Sequence, residues 1–128
     1  MSPIAMTRLG WALSAVFGLF MLGASAYPKL SGMAVAQDTM TALGWPDFPV
    51  LLVGTIELAC TLLYLIPATA VLGAVLMMAV LGGAIATQLH AGSPLFSHTL
   101  FGIYLGLVMW GGLWLRMPAL RALFPWRR

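Results

Sequence analysis

VLLVGTIELACTLLYLI, residues 50–66, is an apolar run that contains a single acid, Glu57. At about 100° per residue, Gly54, Glu57, Cys60, Thr61 and Tyr64 fall on one side of a helix. Leu52, Ile56, Leu58, Leu62, Leu63 and Ile66 cover the rest of the cylinder. Such a helix shows aliphatic surface to lipid and a narrow polar stripe to the interior of a bundle. Pro67 ends it.

The rest of the chain matches that reading. Hydrophobic residues make up 62% of the 128, charged residues 7%, and the mean hydropathy is +1.00. Soluble domains carry about a quarter charged residues, so the deficit points to a lipid bilayer. Four of the six basic residues (Arg116, Arg121, Arg127 and Arg128) lie in the final segment, so the net charge of +3 marks topology. No basic groove interleaved with aromatics is present, and no nucleic-acid partner is expected. Cys60 is the one cysteine, which excludes a disulfide, a CxxC redox pair and a cysteine-based zinc site within the chain.

Three further apolar runs flank the first. Residues 9–27 are long enough to cross a hydrocarbon core of about 30 Å. Arg8, this run and Ala24-Ser25-Ala26 also outline a secretory signal peptide; a retained helix is expected. Gly10, Ser14 and Gly18 repeat every four residues, a face suited to close helix packing in lipid. Runs 71–90 and 98–115 complete four predicted spans in a single membrane domain, 1–128. Gly83 in the third, and Gly102 and Gly106 in the fourth, are expected to pack against neighbouring helices, Gly102-x-x-x-Gly106 within the bundle rather than between copies. Pro28 and Lys29 are expected to end the first helix. Residues 33–43 suggest a short interfacial helix, and the tail 116–128 alternates basic and apolar residues, suiting anionic lipid. The predicted fold is all-α, an integral membrane four-helix bundle.

Loop charges orient it. Arg8, Arg116, Arg121, Arg127 and Arg128 share one side and Lys29 stands alone on the other, so both termini are expected to be cytoplasmic. Glu57 then lies about 10 Å below the outer surface at 1.5 Å per residue. Lys29, Thr87, Gln88, His90 and His98 reach the same half, which predicts an outward-facing polar cavity. An intramembrane carboxylate must be paired, solvated or protonated. Lys29 is its expected ion-pair partner, with Tyr64 and Thr87 as hydrogen-bonding neighbours and His98 lining the site. Glu57 is then either a ligand- or proton-exchanging group or a structural lock. No metal is expected: Glu57 is a turn too deep to join His90 and His98. These two histidines flank a surface turn, a poor setting for haem.

Longer motifs carry a resemblance. Tyr27-Pro28-Lys29-Leu30, Leu43-Gly44-Trp45-Pro46, Gly54-Thr55-Ile56-Glu57-Leu58, Leu62-Leu63-Tyr64-Leu65-Ile66-Pro67, Pro94-Leu95-Phe96-Ser97-His98 and Trp110-Gly111-Gly112-Leu113-Trp114-Leu115-Arg116 follow in order. Together they resemble the DoxX-like family of small bacterial membrane proteins. The resemblance implies a multi-pass four-helix bundle in the bacterial cytoplasmic (inner) membrane. Its relatives include a subunit of a thiosulfate:quinone oxidoreductase. Lys29 and Glu57 stand at the family's lysine and glutamate positions, with no catalytic role implied for either. Two functions follow. One is a membrane subunit whose cavity binds a quinone or similar lipophile, with a redox enzyme as partner supplying electrons. The other is a non-enzymatic lipid-binding or membrane-protein assembly factor. A homodimer is compatible with both.

Overall fold

Ser2 opens the first helix: its hydroxyl accepts from Ala5 N at 3.2 Å, and Pro3 occupies the first turn. Helix α1 runs Pro3–Leu30, 28 residues, longer at both ends than the expected 9–27. The Ser2-Pro3 start signal begins the helix ahead of the apolar run, and Pro28 does not stop it. The turns over Met21–Ala26 are π-helical, with Tyr27 N donating to Leu22 O, five residues back. A widened turn makes room for a proline ring, which in a regular α-helix clashes with the carbonyl four residues earlier. Burial records the widening. Gly10, Ser14, Phe17, Gly18 and Met21 are buried at intervals of three and four or less, and the next buried residue is Ala26, five on.

The computed structural model describes residues 1–127, of which most are helical, and contains no strand among them. Helix α2 spans Ala34–Ala42, within the segment expected to be a short helix. It ends in a Schellman turn, with Trp45 N donating to Met40 O at 2.8 Å and Gly44 at φ 96°. Helix α3 spans Val50–Leu65, and its buried residues are Gly54, Glu57, Cys60, Thr61 and Tyr64, the five on the polar stripe. Helix α4, Pro67–His90, begins with a 3₁₀ turn, and α5, Leu95–Arg116, with a π turn. That π turn starts the last long helix three residues before the expected 98. A short α6, Pro118–Leu123, follows.

Helices α1, α4 and α5 are long and apolar enough to cross a membrane; α3, at 16 residues, is the shorter apolar helix. Along most of its length α1 packs on α5, and its last turns lie against α3. Helix α3 packs on α4, and α4 on α5.

Small residues set the closest approaches. A Cβ at Gly10 would lie 2.6 Å from Arg116 N, one at Gly112 2.8 Å from Ser14 Oγ, and one at Gly102 2.8 Å from Ile85. Gly18 faces Leu65 and Gly106 faces Met78. Gly83 differs from expectation: nothing lies within 4 Å of a Cβ there. The glycine that brings α4 onto α3 is Gly73, pressed against the backbone of Leu63 and Tyr64. Both glycines lie on a small-residue helix, and periodicity alone does not tell a packed face from an open one.

The tail is also more structural than its composition predicts. Arg116 turns into the bundle and donates to Tyr64 O at 2.7 Å. Arg121 donates to Leu115 O at 2.8 Å. Both guanidinium groups cap helix C-terminal carbonyls, a favourable place for a cation. Neither is free to lie on a lipid surface as the basic pattern suggested; Arg127 is exposed, and Arg128 lies outside the described residues.

Candidate functional site

Glu57, on the buried face of α3, is reached from α1. Lys29 Nζ lies 3.2 Å from Glu57 Oε2, and their side chains are 17% and 6% exposed. Ser25 completes the group: its hydroxyl donates to Glu57 Oε2 at 2.9 Å and accepts from Lys29 Nζ at 2.9 Å. Lys29 also donates to Ser25 O at 3.2 Å. Two features of the sequence make this closure possible. Ser25 and Lys29 are four apart on one helix face. Gly54, one turn before Glu57, lacks the Cβ that would lie 2.7 Å from Lys29 Cβ, so the lysine stem crosses α3 there.

The Ser25–Lys29–Glu57 group forms one corner of a cavity of ≈ 470 Å³. Phe20, Ile56, Val80, Ile85, Phe101 and Leu105 supply apolar walls, and Thr39, Met40 and Leu43 bring α2 to its edge. The volume lies in the range of small-molecule sites, which are mostly apolar with a few placed polar groups. Thr87 lines the cavity, with its hydroxyl donated to Gly83 O at 2.9 Å. His98 lines it too, and is exposed, with Nδ1 2.7 Å from Ser97 Oγ. Gly83, expected to pack, contributes open space to the same wall.

Tyr64 does not join them. Its hydroxyl donates to Met109 O at 2.7 Å and stands 3.0 Å from Ser14 Oγ. Its ring meets Phe17 edge-on at 5.3 Å, and Arg116 covers it at 5.0 Å while also stacking 4.2 Å over Trp11. Seven residues separate Tyr64 from Glu57, about 10 Å along the axis. The stripe on α3 therefore serves two sites, one at each end.

Ser25 and Thr99, both polar residues of the cavity lining, escaped sequence reasoning. Ser25 was legible only as the middle of Ala24-Ser25-Ala26, although its spacing to Lys29 places both on one face. Thr99, buried and lining the cavity, follows His98 directly and donates to Ser93 O at 3.3 Å; nothing in its spacing marks it.

Comparison with known proteins gives one positive result. No curated protein and no solved structure matches the chain. The model of a family described as DoxX-like matches residues 12–112, a stretch that holds the Ser25–Lys29–Glu57 corner, every cavity wall, and Tyr64 with Ser14, Phe17 and Met109, but neither Trp11 nor Arg116. With its apolar helices, that match makes this a membrane protein, and the chain belongs to the DoxX-like family.

Proposed function

We propose that the cavity binds a lipophilic molecule by its polar head, and that the protein acts as a binding subunit embedded in the bacterial inner membrane. The observation that carries this is the Ser25–Lys29–Glu57 corner on an otherwise apolar cavity of ≈ 470 Å³. A quinone or similar membrane-soluble compound is the occupant class, with the corner meeting its oxygen and the hydrocarbon walls its ring or chain. The chain has a single cysteine, Cys60, and it is buried, so it offers no dithiol of its own, and in this reading a partner enzyme supplies the electrons for any redox step. Loop charges support a multi-pass topology with both termini cytoplasmic, which turns the cavity outward.

The alternative is an assembly or lipid-binding factor in which the same corner locks α1 to α3. It is favoured by the way Ser25 and Lys29 bind one carboxylate oxygen together. Two glycine variants separate the readings. Gly82 and Gly83 both have open space at Cβ, but Gly83 alone of the two lines the cavity. Purified protein is titrated with a short-chain quinone and its quinol, and co-purifying lipids are identified by mass spectrometry. Gly83→Leu should abolish binding while Gly82→Leu retains it. Equal behaviour of the two variants, or no binding by wild type, sinks the ligand-site reading.

A further inference from the structure

Hydrogen-bond capacity at the polar corner is spent unevenly. Lys29 Nζ carries three protons, and three acceptors surround it: Ser25 O, Ser25 Oγ and Glu57 Oε2. Ser25 gives its one hydroxyl proton to Glu57 Oε2. Every donor in the corner is therefore used within it. Glu57 Oε2 accepts twice, yet Oε1 takes no hydrogen bond from any described residue, and Glu57 lines the cavity. On α4, Gln88 lines the same cavity, and its Oε1 is buried without a partner.

A carbonyl occupant would bring a further acceptor to a corner already rich in them. A hydroxyl would bring the missing proton. Charge points the same way: Lys29 and Glu57 cancel each other, so a cation would meet the lysine without a second acid to hold it. Apolar walls exclude a small hydrophilic donor.

We infer that the cavity selects neutral lipophiles bearing a hydroxyl group, such as a phenol, a hydroquinone or a long-chain alcohol, which donates to Glu57 Oε1. Carbonyl or ether counterparts of the same size bind less well. For a quinone couple, the reduced form is the one retained. This rests on the ligand-binding reading above and names the chemistry of the ligand.

The probes are 4-nonylphenol and its methyl ether, 4-nonylanisole, matched in length and redox-inert. Binding to the full-length protein in detergent is measured by calorimetry or native mass spectrometry. The phenol is expected to bind about tenfold tighter or more, the effect of one hydrogen bond to a charged acceptor. In Glu57→Gln the amide oxygen keeps the protons of Ser25 and Lys29, and the amide nitrogen faces the cavity as a donor. The phenol preference should then fall to within about threefold. Equal binding of both probes by wild type overturns the hydroxyl inference and leaves the binding site standing. Binding of neither overturns both. A full phenol preference persisting in Glu57→Gln removes Glu57 from the role. Should Glu57→Gln fail to fold, the wild-type probe pair still decides the main question.

Discussion

At the Tyr64 end of the bundle, the phenol donates to Met109 O, Ser14 sits against Gly112, and Arg116 covers Tyr64 and caps its carbonyl. At the Glu57 end, an ion pair and a serine gather on one wall of a cavity, and Gly83 faces open space. Both ends draw on the same stripe of α3. At the first, polar groups close on one another across glycine contacts, although Arg116 Nε is buried without a partner; at the second, a carboxylate oxygen is left over. Glycine has two uses: at Gly10, Gly73 and Gly112, and at Gly54 and Gly102 beside the cavity, it admits a close neighbour, while at Gly83 it leaves room. Bilayer helices gain nothing from expelling water between apolar faces, so such close contacts supply much of their association.

Four substitutions test that contrast. Gly73→Leu should be the most damaging, because its side chain would meet the α3 backbone at Leu63 and Tyr64 rather than a side chain able to turn. A loss above about 3 kcal/mol is expected, seen as collapse of the monodisperse fraction on size-exclusion chromatography. Lys29→Met leaves the buried Glu57 without its cation. About 2–3 kcal/mol should be lost in thermal unfolding in detergent, with partial recovery in the Lys29→Met/Glu57→Gln double variant; absence of recovery would show that the pair is not coupled. Tyr64→Phe removes one donor and should cost about 1 kcal/mol without altering ligand binding. An altered ligand affinity there would erase the separation between the two ends. Gly83→Leu should change stability by less than about 0.5 kcal/mol, and a large loss would mean that the open wall is closed by lipid or protein.

Much of this architecture is legible in the sequence. A single acid in an apolar run gives the buried face of α3 residue by residue, and the lone lysine gives its partner. Helical periodicity carries that information because burial depends on angle around the axis. It carries less about position along the axis, which is why it groups Tyr64 with Glu57 although the two serve different ends. Spacing also says nothing of what lies opposite, so Gly83 and Gly73 look equivalent from within α4. Ser25 was hidden by a competing motif, and Arg116 by its place among basic tail residues whose charge alone suggested a surface.

The π-helical turns of α1 have one more consequence. A π turn amounts to one residue added to a regular helix. The stretch before it, with Gly10, Ser14 and Gly18, is phased to α5 and Leu65; the stretch after it, with Ser25 and Lys29, is phased to Glu57. Deleting one residue from Met21–Ala26 would turn one half against the other by about 100°. The register between the packing half and the binding half of this helix is thus written in chain length as well as in residue type. Aligning it without a gap to a helix lacking the extra residue would superpose the wrong faces.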